Sequence, residues 1–270
     1  LLNIILNPIL IFGFLFIPAF GVKGIGIATI ISQLVSFLII LFKVLKNERV
    51  RNISSEYLVP KFLFFKNIFF QSMPISVSIC GYALAAAIIF TYVGQSGEYA
   101  VAGYGVGTRI EQVVLLPILG INTAIISIIA QNYGANNLVR IKETYFTAIK
   151  YAFIIMITAG TLVFLSASVI TSFFSSDPEV IEYGKRYLKI SAFVLPAYPV
   201  FFLSNGFFMA LKKSENAMIS NFFRNVLNPI AVFYIAKYIN ASFETFFWLW
   251  VGINWFFSIS YFFIIIYYFK

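Results

Sequence analysis

The chain has 270 residues, 61% of them hydrophobic and 11% charged, with a net charge of +9, a mean hydropathy of +0.92 and no histidine. Soluble domains carry about 25% charged residues, so this chain cannot coat a water-facing surface, and a basic nucleic-acid-binding domain is excluded with it. Lacking histidine removes the usual general base and commonest metal ligand, the lone Cys80 can form neither an internal disulfide nor a zinc site, and Ser–His hydrolase chemistry is ruled out.

Taken in chain order, the apolar runs predict an all-α fold, a polytopic membrane bundle of eight segments at about 1–17, 21–42, 67–93, 100–130, 144–166, 184–211, 216–238 and 245–269. Several exceed 18 residues, enough to cross a hydrocarbon core about 30 Å thick as a helix. Outer-membrane barrels show short alternating segments instead. Residues 1–17 lack the charged start and small-residue cleavage site of a signal peptide. Gly and Pro punctuate the runs at Pro18, Gly94, Gly97, Gly134 and Pro178.

Loop charges set an orientation. Lys43, Lys46, Arg49, Arg51, Lys61 and Lys66 occupy the loop at about 43–66, and Arg140, Lys142, Lys212, Lys213 and Lys270 recur every second loop. The intervening loops hold Glu98, or Asp177, Glu179 and Glu182. The positive-inside rule makes the basic loops and the C-terminus cytoplasmic. Lys185, Arg186 and Lys189 are the exception and are expected to snorkel outward.

Leu6-Asn7-Pro8-Ile9 in the first segment is repeated as Leu227-Asn228-Pro229-Ile230 in the seventh, so the first two helices look like the last two. Parallel repeats of this kind are common in secondary transporters. The reading is therefore two pseudo-symmetric six-helix lobes, the first truncated: residues 1–45 as the last two helices of an N-terminal lobe, 46–66 as an inter-lobe loop, and 67–270 as the C-terminal lobe. On that logic about four helices precede Leu1 in a twelve-helix protein.

The motifs Asn3-Ile-Ile-Leu-Asn-Pro8, Gly21 to Thr29, Met73-Pro74, Ala102 to Gln112 (AGYGVGTRIEQ), Leu116-Pro117, Gln131 to Ala135 and Phe174 to Val180 together resemble the multidrug and toxic compound extrusion (MATE) family over nearly the whole chain. The resemblance implies the family's fifth to twelfth helices. It implies a multi-pass protein of the plasma (inner) membrane, acting as a monomer. Such a protein exports organic, often cationic, small molecules across the bilayer in exchange for protons or sodium, with no cofactor beyond that ion. Asn3, Asn7 and Thr29 match the family's first-lobe cation site. Many members carry Asp where this chain has Asn7, which removes a protonatable group but leaves oxygens that can hold a hard cation. The alternative for both Asn residues is interhelical hydrogen bonding.

Glu111 lies about 11 residues, about 16 Å, into its predicted helix. An intramembrane carboxylate is costly and faces a cavity or a partner, so Glu111 is either the site of proton coupling or an anchor between helices. Arg109 sits two residues away on another face and is expected to pair with a neighbouring helix or line the cavity. Asn221, Arg224, Asn225 and Asn228 follow i, i+3, i+4, i+7 spacing and form one polar stripe, lining the cavity or holding the bundle together. Pro74, Pro117, Pro196 and Pro199 are expected inside helices as kinks. Gly103, Gly105 and Gly107 are expected to allow close helix packing.

Two other functions compete with antiport. A flippase for lipid-linked oligosaccharides would line its cavity with several Arg, whereas only Arg109 and Arg224 lie well inside predicted helices. An intramembrane enzyme would need a catalytic pair, and neither His nor Asp falls inside a predicted helix.

Overall fold

In the computed structural model, residues 2–14, 17–47 and 62–269 are described. They form ten α-helices, α1 (Leu2–Phe12), α2 (Val22–Leu45), α3 (Phe62–Gly94), α4 (Glu98–Gly134), α5 (Leu138–Ser172), α6 (Pro178–Ser191), α7 (Tyr198–Ala210), α8 (Ser214–Phe222), α9 (Asn228–Tyr238) and α10 (Phe243–Tyr268). A 3₁₀ turn at Leu195–Ala197 joins α6 to α7, and one turn of π-helix at Phe223–Leu227 joins α8 to α9. Among the described residues the only extended pairing is an isolated bridge between Phe14 and Ile17. Among the described residues, five segments are long and apolar enough to cross a membrane: Val22–Leu45, Glu98–Gly134, Leu138–Ser172, Pro178–Ala210 and Phe243–Tyr268.

The chain divides into two compact units, residues 1–66 and 67–270. In the first, α1 and α2 pack side by side. Gly24 allows this, because a Cβ there would run into the Leu10 carbonyl. The expected first segment, 1–17, is shorter as a helix: α1 ends at Phe12, where Gly13 turns to φ +80°. Phe20 and Gly21 then donate their amides to the Leu10 and Ile11 carbonyls, capping the helix end. Of the basic inter-lobe loop, residues 48–61, with Arg49, Arg51 and Lys61, lie outside the described residues. Residues 62–66 already belong to α3.

The second unit packs around α4, against which α5, α6 and α7 lie. Packing, not hydrophobicity, holds helices together in lipid, so small residues matter at the contacts. A Cβ on Gly103 would lie 2.7 Å from the Gly184 amide nitrogen, and one on Gly107 would enter the ring of Tyr187. Gly105 departs from the expectation: it points off this face and a Cβ there would meet nothing. The helix ends are fixed locally. Asn137 accepts from the Arg140 amide at 3.0 Å, Asp177 from the Glu179 amide at 2.9 Å and Ser242 from the Thr245 amide at 3.3 Å, each an N-cap. Asn136, Lys212 and Asn240, all at positive φ, terminate the helices before them.

The expected single helix at 184–211 is two. Pro196 lies in the 3₁₀ turn and Pro199 in the first turn of α7, so these prolines start helical pieces instead of bending one from within. The carbonyls freed at the break find side-chain donors. Trp255 Nε1 donates to Phe193 O at 2.8 Å, and Ser258 Oγ to Ala197 O at 3.1 Å. Broken helices persist at membrane depth only when such groups are satisfied again. The three cations expected to snorkel from the start of α6 have local partners. Lys185 and Arg186 both hold Glu182 at 2.9 Å, Arg186 reaches Glu244 at 3.2 Å, and Lys189 lies over the Phe164 ring.

Candidate functional site

Gly103, Gly107 and Glu111 recur at four-residue spacing and so share the face of α4 that meets α6. The glycines let α6 approach closely, and Glu111 is the first residue on that stripe with a functional group. Its carboxylate is the meeting point of two phenols. Tyr187, from α6, donates to Oε2, and Tyr198, from the start of α7, donates to Oε1 at 2.5 Å. The two tyrosines are eleven residues apart. An unbroken helix would carry them about 16 Å apart along its axis, yet both hydroxyls converge on one carboxylate from either side of the helix break.

These groups line a cavity of about 150 Å³ within the second unit, walled by side chains from α3, α4, α6, α7, the π-turn and α10. Aromatic rings dominate it: Tyr82, Phe90, Tyr104, Phe247 and Trp250 join the two tyrosines. The Tyr104 ring meets that of Tyr187 edge-on at 4.9 Å and stacks on Phe247 at 5.4 Å. Arg224 closes another wall, 7% exposed, with its guanidinium 4.9 Å from the Tyr198 ring centre and 4.1 Å from that of Phe201. Its Nε donates to Asn254 Oδ1 at 3.1 Å, and Asn254 is itself fixed by donating to Trp250 O at 2.8 Å. A carboxylate held by two hydroxyl donors inside an aromatic enclosure can accept a proton by giving up one of them, and can face an organic cation across the rings.

In the polar stripe of the seventh segment, Asn225 Nδ2 donates to Asn221 Oδ1 at 3.5 Å. Arg224 and Asn225 line the cavity, while Asn221 and Asn228 do not. The π-turn, Phe223–Leu227, lies within this stripe and carries the two cavity-lining members. Single π-turns recur at functional sites. Asn221 donates to Ala217 O at 2.8 Å, and Asn228 is 1% exposed with neither side-chain atom hydrogen-bonded among the described residues. Arg109 is exposed and does not line this cavity. Reasoning from sequence overlooked Tyr187, Tyr198 and Asn254. Four-residue spacing from Gly103 signalled the stripe, but no local pattern pointed to the tyrosines.

In the first unit, Asn3, Asn7 and Thr29 do come together. Asn7 Nδ2 donates to Asn3 Oδ1 at 3.0 Å, Asn3 Nδ2 to Thr29 Oγ1 at 3.3 Å, and Thr29 Oγ1 to Ile25 O at 2.8 Å. The chain of donors leaves oxygens over. Asn7 Oδ1 is buried without a partner among the described residues, as is Ser32 Oγ, three residues after Thr29 in α2. Buried oxygens of this kind suit a hard cation.

Comparison with known proteins gives a consistent result. The family model described as MatE matches residues 74–234. The multidrug export protein MepA of Staphylococcus haemolyticus is 26% identical over 81% of this chain and 47% of its own length. The probable multidrug resistance protein NorM of Thermotoga maritima is 26% identical over 87% of this chain and 48% of its own. An outward-facing multidrug resistance MATE family transporter of known structure superposes with a TM-score of 0.83 at 25% identity, over 96% of this chain and 57% of that one. A MOP superfamily transporter from Pyrococcus furiosus shares the fold, with a TM-score of 0.87 at 24% identity over 97% of this chain and 58% of that one. The chain spans about half the length of the curated relatives it matches.

Proposed function

Because this chain belongs to the MatE family, we propose that it is part of a secondary antiporter that exports organic cations in exchange for protons or sodium, with no cofactor beyond that ion. The observation that carries the reading is the Glu111 carboxylate, held by two phenols in an aromatic-lined cavity about 20 Å along α4. In this reading Glu111 takes up and releases the coupling proton, and Arg224 and Asn225 line the same cavity. Asn3, Asn7 and Thr29 form a second ion site, suited to sodium because Asn7 carries no proton to exchange.

Residues 1–45 are then the last two helices of an N-terminal lobe and 67–270 the C-terminal lobe. The protein is a monomer in the plasma (inner) membrane, with its C-terminus cytoplasmic. The charge pattern supports the orientation: Arg140, Lys142, Lys212 and Lys213 cluster at helix ends on the side of the C-terminus.

The test is transport by the protein expressed from its whole gene in proteoliposomes. A fluorescent organic cation such as ethidium is expected to move against its gradient when a pH or sodium gradient is imposed, and to stop moving when that gradient is collapsed. Ethidium movement unaffected by either gradient refutes the reading.

A further inference from the structure

Arg224 lines a second cavity, behind the first. This cleft, about 400 Å³ and open on one side, lies between α7, α8 and α10 within the second unit. Its walls are Phe201, Phe208, Phe223, Phe257 and Tyr261, with Ile219 and Ile264 half-exposed at the mouth. The volume is that of a small-molecule site, mostly apolar with few polar groups, which is the usual character of such sites. Besides Arg224, the polar lining consists of the uncharged side chains Asn216, Ser220, Ser260 and Tyr261.

The state of Arg224 gives the cleft its polarity. A buried guanidinium is costly unless a counter-charge or several hydrogen bonds compensate it. Among the described residues no carboxylate forms an ion pair with it. Both oxygens of Glu111, the acid that shares its other cavity, are engaged by Tyr187 and Tyr198. What holds Arg224 is a hydrogen bond to Asn254, a second one with the Tyr198 side chain, the attraction of the Glu111 charge, and the faces of Tyr198, Phe201 and Phe202. Guanidinium offers five N–H donors, a fork that matches a carboxylate. Among the described residues, three of those donors remain for a ligand.

We propose that this cleft is a binding site for an aromatic organic anion, a flat carboxylate whose rings lie among Phe201, Phe208, Phe223 and Phe257 and whose charged end meets the Arg224 guanidinium. The aromatic walls favour a ring system over an alkyl chain, because edge and face contacts add to plain burial. A cation is disfavoured by the same guanidinium. The site is separate from the Glu111 cavity and does not depend on Glu111 carrying the coupling proton.

Photo-cross-linking tests it, in the purified protein expressed from its whole gene. The probe is 4-benzoylbenzoate, an aromatic carboxylate, beside its uncharged methyl ester and a benzophenone bearing a trimethylammonium group. Mass spectrometry is expected to find saturable adducts of the acid on the α10 peptide holding Phe257, Ser260 and Tyr261, about tenfold above those of the ester or the cation. Arg224→Gln should bring the acid down to the level of the ester. Ser260→Trp fills the cleft without replacing Arg224, and should remove the adducts of all three probes while ethidium transport persists. Equal labelling by acid and ester in the unaltered protein overturns the proposal, as does undiminished labelling in Ser260→Trp. Those two comparisons hold even where Arg224→Gln fails to fold.

Discussion

The ring of Tyr187 fills the space that a side chain on Gly107 would take, and its hydroxyl thereby reaches Glu111, one turn further along α4. The absence of a side chain at one residue thus builds the coordination of another. Gly105, on the same helix, has no neighbour to accommodate. Gly107→Ala is expected to destabilise the protein by about 1–3 kcal/mol, the usual cost of overpacking a fitted contact. Gly105→Ala is expected to leave stability unchanged or raise it by up to about 1 kcal/mol, since Ala is the better helix former. Thermal melting of the two variants side by side checks the contrast, and equal melting temperatures would contradict it.

Glu111→Gln keeps size and hydrogen-bonding ability but fixes the charge at zero. It is expected to abolish the pH dependence of export, with at least a tenfold (about 1.4 kcal/mol) loss of rate at the most favourable pH. Membrane insertion should be unchanged. Glu111→Ala would be less clean, because it also strands the Tyr187 and Tyr198 hydroxyls. Normal export with an unaltered pH profile in Glu111→Gln would make Glu111 a helix anchor and move coupling to the first unit.

Tyr198→Phe separates the two donors. It removes the hydroxyl that holds Glu111 Oε1 but keeps the ring beneath Arg224. The expected cost is about 1 kcal/mol of stability for one lost hydrogen bond, more because the acceptor is a carboxylate. Thermal melting beside the unaltered protein checks it, and an unchanged melting temperature would argue that this hydroxyl does not hold Glu111.

The Asn3–Asn7–Thr29 group is testable without transport. Sodium is expected to raise the melting temperature of the protein relative to potassium at equal ionic strength, by roughly 2.7 kcal/mol of stability at a concentration a hundredfold above Kd. Asn7→Ala should remove that difference, since Asn7 Oδ1 is the oxygen left over by the hydrogen-bond chain. A sodium effect of the same size in Asn7→Ala would place the ion elsewhere.

Orientation follows from labelling single cysteines placed in a Cys80→Ala background. Cysteine at Asn136, between α4 and α5, is expected to react only with reagents that enter the cytoplasm. At Ser176, between α5 and α6, it should react with impermeant reagents from outside. The reverse pattern would overturn the charge argument.

The sequence by itself determined the all-α membrane class and singled out one acid deep in an apolar run. Hydropathy, loop charge and a carboxylate deep in an apolar run are local properties, readable one segment at a time. It also paired Asn3 with Asn7, because residues four apart in one helix share a face. The break before α7 and the π-turn before α9 were beyond it. The break depends on donors from another helix, Trp255 and Ser258, that take up the freed carbonyls. The convergence of Tyr187 and Tyr198 on Glu111, and of three aromatic rings on Arg224, joins residues from 22 to 87 positions apart in the chain. Only the packing of α4 against α6 and α7, set by glycines that let the helices touch, decides which of many aromatic side chains meets the charge.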